Sequence, residues 1–214
     1  MADYHLYCER LDPGLLAEPV NALTNAAFLI AAWMLWRTWR RQNRNPPEAQ
    51  LLIALIVAIG IGSSLFHTFA TLWARVLDEV PILLFQLVFM WLYARRVIGW
   101  SVLAATFLAA GFLVLALYSR QFPEWFNGSL VYLPALAALL ALGLYHRLSR
   151  KPAPLILLWA FGALVVALSF RTLDAAVCPY FPTGVHFLWH VLVALTAYLC
   201  SHAFLIASRN ARRL

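Results

Sequence analysis

The chain has 214 residues, of which 64% are hydrophobic and only 12% charged, and its mean hydropathy is +0.77. Soluble domains carry about 25% charged residues, so the composition excludes an ordinary water-soluble domain and points to an integral membrane protein. The formal net charge of +7 is read as a signal of membrane topology, and nucleic-acid binding is set aside.

Apolar runs long enough to cross about 30 Å of hydrocarbon as helix fall at 20–39, 50–71, 79–97, 100–118, 129–146, 154–171 and 184–206. The expectation is an all-α integral membrane protein, a bundle of seven transmembrane helices forming one domain over 1–214. It has an acidic extracytoplasmic segment at 1–19, the bundle at 20–206 and a basic tail at 207–214. No fixed-period repeat or low-complexity tract interrupts it. Arg37, Arg40, Arg41, Arg44, Arg95, Arg96, Arg147, Arg150, Lys151, Arg209, Arg212 and Arg213 all fall on the side of the C-terminus. The other side holds Arg10, Arg75, Arg120 and Arg171, with every acidic residue except Glu48. The positive-inside rule then puts the C-terminus in the cytoplasm and the N-terminus outside.

In chain order, Met1 to Pro19 is acidic and polar, with neither a basic n-region nor a small-residue cleavage site. No signal peptide is expected, and the first helix is expected to insert as a reversed anchor. One face of that helix carries Glu18, Asn21, Thr24 and Asn25 at spacings of three and four. Such a stripe suits hydrogen bonding between packed helices. Glu18 is the exception, since a carboxylate at membrane depth needs a stronger reason to be there.

The second helix ends with Ser63 and His67, four apart and therefore on one face. Asp78 and Glu79 open the third. Asp78 has two readings: a helix N-cap shortly before Pro81, or a chemical partner for His67 and Ser63. The fourth and fifth helices are nearly pure Ala, Leu, Val and Phe, with Pro134 expected to kink the fifth. Trp125 and Phe126 between them look like an interfacial aromatic belt.

The sixth helix runs into SFRTLDAAVCPYFPTG, and the seventh begins with VHFLWHVLVALTAYL. His186 and His190, again four apart, share a face near the outer end, and His67 reaches the same depth from another helix. His202 falls about three turns deeper than His190, while His146 and His5 lie in ends or tails. Three imidazoles with one position left open form the pattern of a catalytic zinc site. Zinc would bring the pKa of its bound water to about 7. Asp78 could take and return the proton, and Ser63 could donate a hydrogen bond to a developing oxyanion. The competing reading is three unrelated interfacial histidines, each satisfied by backbone or water.

The strings AEPVNALTNAAF, GSSLFHTFATLWARVLDEVPI and HFLWHVLVALTAYL resemble the signature blocks of the alkaline ceramidase family. That family belongs to a wider superfamily of seven-helix membrane hydrolases that also includes the adiponectin and progestin receptors. The resemblance covers nearly the whole chain, and the Ser-x3-His, His-x10-Asp and His-x3-His spacings match. It implies zinc ligands at His67, His186 and His190, an oxyanion partner at Ser63 and a general acid/base at Asp78. It also implies a calcium site in the N-terminal segment, where Glu9, Asp12 and Glu18 supply the hard oxygens that calcium takes; the competing reading there is a solvated acidic tail. Cys8 and Cys178 fall on the outer side, where a disulfide is permitted, at positions similar to those bridged in the family. Cys200 is read as a packing residue.

The expected function is that of a zinc-dependent intramembrane amidohydrolase. It would cleave the amide bond of ceramide-like lipids to a free fatty acid and a sphingoid-type amine, with the lipid entering laterally. The partners are membrane lipid and bilayer, with no nucleic acid and no protein partner. Two alternatives stay open: hydrolysis of another acyl amide or ester lipid, and a receptor or scaffold with a structural zinc site. Transport is disfavoured, since corresponding halves show no pair of broken helices. Arginine-rich inner loops and the lack of a retention tail suggest a bacterial inner membrane with the active site toward the periplasm.

Overall fold

A computed structural model describes residues 7–12, 14–41 and 46–211, with side chains through Ser208. Among these residues the protein is helical, without strands. His5, Arg44, Arg212 and Arg213 lie outside the described residues, as does the Arg209 side chain. The helices are α1 (Pro19–Thr24), α2 (Ala26–Arg40), α3 (Glu48–Phe69), α4 (Leu72–Tyr93), α5 (Val102–Ser119), α6 (Leu133–Leu148), α7 (Ile156–Val177) and α8 (His186–Ala211). A π-helical turn, Ala94–Ile98, extends α4, and a 3-10 turn, Ser129–Tyr132, leads into α6. Seven helical stretches are long and apolar enough to cross a membrane, with α1 and α2 together forming the first.

The first span breaks at Asn25. Thr24 Oγ1 donates to the Val20 carbonyl and Asn25 Nδ2 to the Asn21 carbonyl, so side chains compete for the carbonyls that the helix ladder uses. Of the seven spans α8 is the most buried and α5 the least. α8 packs on α7, α2, α3 and α4. Lipid tails are as apolar as leucine, so packing here depends on close contact rather than on escape from water. Ala160, Ala167 and Ala203 are accordingly fully buried beside Leu157 and Phe204.

Three details differ from the sequence expectation. α4 begins at Leu72, after Thr71 in extended conformation, so Asp78 and Pro81 both lie inside the helix. The N-cap reading of Asp78 is therefore wrong. Second, α7 continues to Val177, which takes Asp174 out of the connecting loop and into the helix. Third, Pro134 occupies the first turn of α6, where the missing N–H costs nothing and no kink follows.

Pro81 has a use of its own. Without an N–H it leaves the Leu77 carbonyl free of its helical partner. That carbonyl faces Gly62 of α3, where a Cβ would overlap it. Gly62 and Pro81 together let the α3 and α4 backbones touch, and this brings Ser63 to the level of Asp78.

Candidate metal centre

Ser63 and His67 lie in the last two turns of α3, and His186 and His190 in the first two turns of α8. The three imidazoles are each 1% exposed, and one ring nitrogen from each falls within 4.8 Å of the others. His67 Nε2 and His190 Nε2 are 3.0 Å apart. Two nitrogens that share a zinc ion through bonds of about 2.0–2.1 Å sit roughly 3.3 Å apart, so this pair is close to the spacing such an ion needs.

The hydrogen bonds on the far sides of the rings set which nitrogens are free. His67 Nδ1 meets Glu18 Oε2 at 2.5 Å; a carboxylate only accepts, so that nitrogen carries the proton. His190 Nδ1 meets Thr24 Oγ1 at 3.0 Å. The Thr24 hydroxyl already gives its hydrogen to the Val20 carbonyl, so it accepts from His190. In the neutral rings both Nε2 atoms then present lone pairs, and they face one another. A proton between them would satisfy that pair but would leave His186 Nδ1, which is buried without a partner. A ring nitrogen from each of the three histidines lies within reach of one cation, so the residues present fit a zinc ion. Glu18 and Thr24 hold the two rings by Nδ1, in the way that outer partners of zinc histidines do.

His186 is held by different means. Tyr7 stacks on its ring at 3.7 Å between centroids. Asp174 Oδ1 accepts from the backbone N–H groups of Val185 and His186 at 2.7 and 2.9 Å, so a side chain from α7 satisfies the free donors at the start of α8. Asp174 Oδ2 accepts from Cys8 N–H, and Cys8 and Cys178 are bonded as a disulfide with 5.2 Å between Cα atoms. Gly184, at φ +66, passes so close that a Cβ would strike Asp174 and Cys8. The N-terminal segment is thereby tied across the histidines.

Arg10 completes the strap. Its Nε bonds Glu18 Oε1 at 2.5 Å, and its Nη2 donates to the His67 carbonyl at 3.0 Å. Burial alone would raise the Glu18 carboxyl, but His67 and Arg10 hold it below the usual carboxylate value. Burial pushes the Tyr7 phenol up, against the pull of Arg171, so it remains a neutral donor beside the centre.

Asp78 lies near His67, Ser63, Arg171 and Arg75. Its Oδ1 is closed to solvent and has no hydrogen-bond partner. An unpartnered carboxylate oxygen on a residue near His67 is available to a water molecule or a substrate, which general acid/base work requires. Ser63 is 4% exposed, one turn from His67 on the same face.

Calcium finds no support. Glu9 accepts from the Val20 and Asn21 N–H groups at 2.7 and 2.8 Å, capping α1. Asp12 accepts from the Gly14 N–H at 2.7 Å in a local turn. Glu18 is taken by Arg10, His67 and Asn21. Each carboxylate is committed to a donor on the protein, and a guanidinium already supplies the positive charge at Glu18.

Sequence reasoning did not single out Tyr7, Arg10 or Asp174, and it read Thr24 as a packing residue. Asp174 had one usable signal, an acidic residue within reach of the end of an apolar helix. Tyr7 and Arg10 had none, since their roles depend on a strap folded back over residues far along the chain.

No curated protein matches the sequence. The family model described as Ceramidase matches residues 8–212. The match takes in Cys8 and Arg10 of the strap, the α3–α4 pair and His186 and His190 of α8, and the chain belongs to the ceramidase family.

Proposed function

We propose that the protein hydrolyses the amide bond of a ceramide-like lipid, releasing a fatty acid and a sphingoid-type amine, with a zinc ion held by His67, His186 and His190. The observation that carries this reading is the convergence of ring nitrogens from His67, His186 and His190, with the Asp78 carboxylate near His67 and Ser63. Zinc in such a site supplies a Lewis acid that polarises the amide carbonyl and brings a water proton within reach of a carboxylate. Asp78 takes that proton as the water oxygen adds to the carbonyl carbon, and returns it to the nitrogen as the C–N bond breaks. The Ser63 hydroxyl donates to the carbonyl oxygen as charge develops on it. Glu18 and Thr24 hold their imidazoles by Nδ1, and the strap keeps bulk water out.

An apolar cavity of about 70 Å³ lined by Phe85, Phe89, Leu139, Leu142 and Cys200 supports an acyl chain lying between the helices. The basic residues at the opposite end of the bundle support an extracytoplasmic position for the centre. Incubation of the purified protein with zinc and ceramide, following fatty-acid release, tests the proposal. Asp78→Asn is expected to keep its zinc and lose on the order of 10² to 10⁴ in rate. No release by the wild-type protein would overturn the function, and equal release by Asp78→Asn would overturn the role of the carboxylate.

A further inference from the structure

We propose that Tyr7 is a specificity-determining residue, whose phenol hydroxyl donates a hydrogen bond to a primary hydroxyl on the carbon next to the one that bears the amide nitrogen. The favoured substrate is then an acylated amino alcohol rather than a simple acylated amine. This rests on the amide-hydrolase reading and adds a headgroup contact to it.

Tyr7 stands between the metal centre and the cavity beside it. Its ring stacks on His186 with the centroids 3.7 Å and the planes 17° apart, and its centroid is 5.2 Å from that of His67. The same residue lines a cavity of about 340 Å³ together with Arg75, Glu79, Arg120, Tyr132 and Arg171. Asp78 and Glu18 lie close enough to act on the phenol. Of the aromatic residues that line the cavity, Tyr7, Phe122 and Tyr132, only Tyr7 meets the imidazoles. Tyr132 packs instead on Trp189, beneath the Arg171 guanidinium.

The hydroxyl is the part of this side chain that lacks a partner. No hydrogen bond from another described residue reaches it, although the residue is half-buried, and a tyrosine hydroxyl in such a place normally finds one. The charged groups around the cavity are, by contrast, engaged with one another. Glu79 pairs with Arg75 and Arg120, Asp78 interacts with Arg171 and Arg75, and Arg171 also donates to the Asn127 carbonyl and Ser129 Oγ. A lining in which opposite charges already meet suits a neutral headgroup, and a neutral O–H donor suits a hydroxyl.

The contact is prepared in advance. The next residue, Cys8, is bonded to Cys178 and gives its N–H to Asp174 Oδ2, so the backbone beside Tyr7 is fixed before a lipid arrives and binding has less ordering to impose. Position ties the contact to the reaction, because a hydroxyl on the carbon next to the C–N carbon is a short step from the scissile bond and Tyr7 is one ring away from the metal centre. Ile82 and Gln86 line both this cavity and the apolar one. A headgroup in the first therefore leaves the second open to a chain.

The test compares ceramide with its analogue in which hydrogen replaces the primary hydroxyl, using zinc-loaded wild type and Tyr7→Phe in neutral phosphatidylcholine vesicles. Phenylalanine keeps the stacked ring and removes the hydroxyl alone. The readout is the ratio of the two kcat/KM values, which cancels losses of folded protein and of bound zinc. The wild type is expected to favour ceramide, and Tyr7→Phe to lower the ratio about tenfold, as loss of one hydrogen bond would. No preference in the wild type overturns the proposal. So does equal loss on both substrates, as a structural hydroxyl or a hydrogen bond to the amide carbonyl would give, and so does a ratio that Tyr7→Phe leaves unchanged. If the wild type hydrolyses neither lipid, binding of soluble short-chain forms of the two decides. A preference for ceramide that Tyr7→Phe abolishes keeps the contact while the hydrolase reading falls, and binding that shows no such difference removes both.

Discussion

His146 and His67 are equally hidden, at 0% and 1% exposure, yet they sit in opposite circumstances. At the end of the bundle away from the metal centre, His146 Nδ1 accepts from the Tyr93 hydroxyl at 2.5 Å, and its Nε2 donates to the Pro152 carbonyl at 2.9 Å. Both nitrogens are satisfied by the protein, and the ring joins α4 to α6 and the turn before α7. At the metal centre His67 and His190 are satisfied by the protein on one side only, and His186 Nδ1 has no partner. Burial alone therefore does not separate a structural histidine from a ligand. What separates them is whether the ring leaves a lone pair pointing at other lone pairs.

The sharpest way to break this contrast is to remove one ring from each end. His190→Ala is expected to cost on the order of a thousandfold in turnover, because the Lewis acid goes with it. His146→Ala should leave turnover per folded molecule unchanged and instead lower stability by about 1–3 kcal/mol, from the stranded Tyr93 hydroxyl and Pro152 carbonyl. Assays of both variants normalised to folded protein check this, and similar activity losses would erase the distinction.

Gly62→Ala should come next. A methyl group there meets the Leu77 carbonyl, so α4 must move away and carry Asp78 with it. Overpacking of this kind costs about 1–3 kcal/mol. The telling result is a fall in kcat with zinc content retained, since the histidines lie on α3 and α8. The smallest effect belongs to Glu18→Gln, which keeps an acceptor for His67 Nδ1 but removes the charge. Zinc affinity should weaken by about 10- to 100-fold, read by competition with a chelator. An unchanged affinity would mean that Glu18 serves Arg10 alone.

Much of this was legible in the sequence because it is local. The seven spans follow from runs of apolar residues, and the Ser63–His67 and His186–His190 pairs follow from helical spacing. Their meeting could be anticipated from depth alone, because both pairs lie near the same end of their helices. The start of α4 was misread for a physical reason. Acid followed closely by proline has the form of a helix N-terminus, although Leu72 to Leu77 already form the first turns of α4. Glu9 and Glu18 showed hard oxygens but not their donors, and those donors turned out to be backbone N–H groups, a guanidinium and an imidazole. Asp174 and Tyr7 act across more than 150 positions of chain in their contacts with Cys8 and His186. Such pairings are set by the disulfide and by the strap, and no spacing rule reaches them.

Elemental analysis of the purified protein tests the central claim most directly. About one zinc per chain in the wild type and in His146→Ala, with none held by His67→Ala or His190→Ala, is the result expected from three imidazoles that converge within reach of one ion. A wild-type chain that stays empty after zinc is supplied, or a His190→Ala variant that holds as much as the wild type, would contradict it.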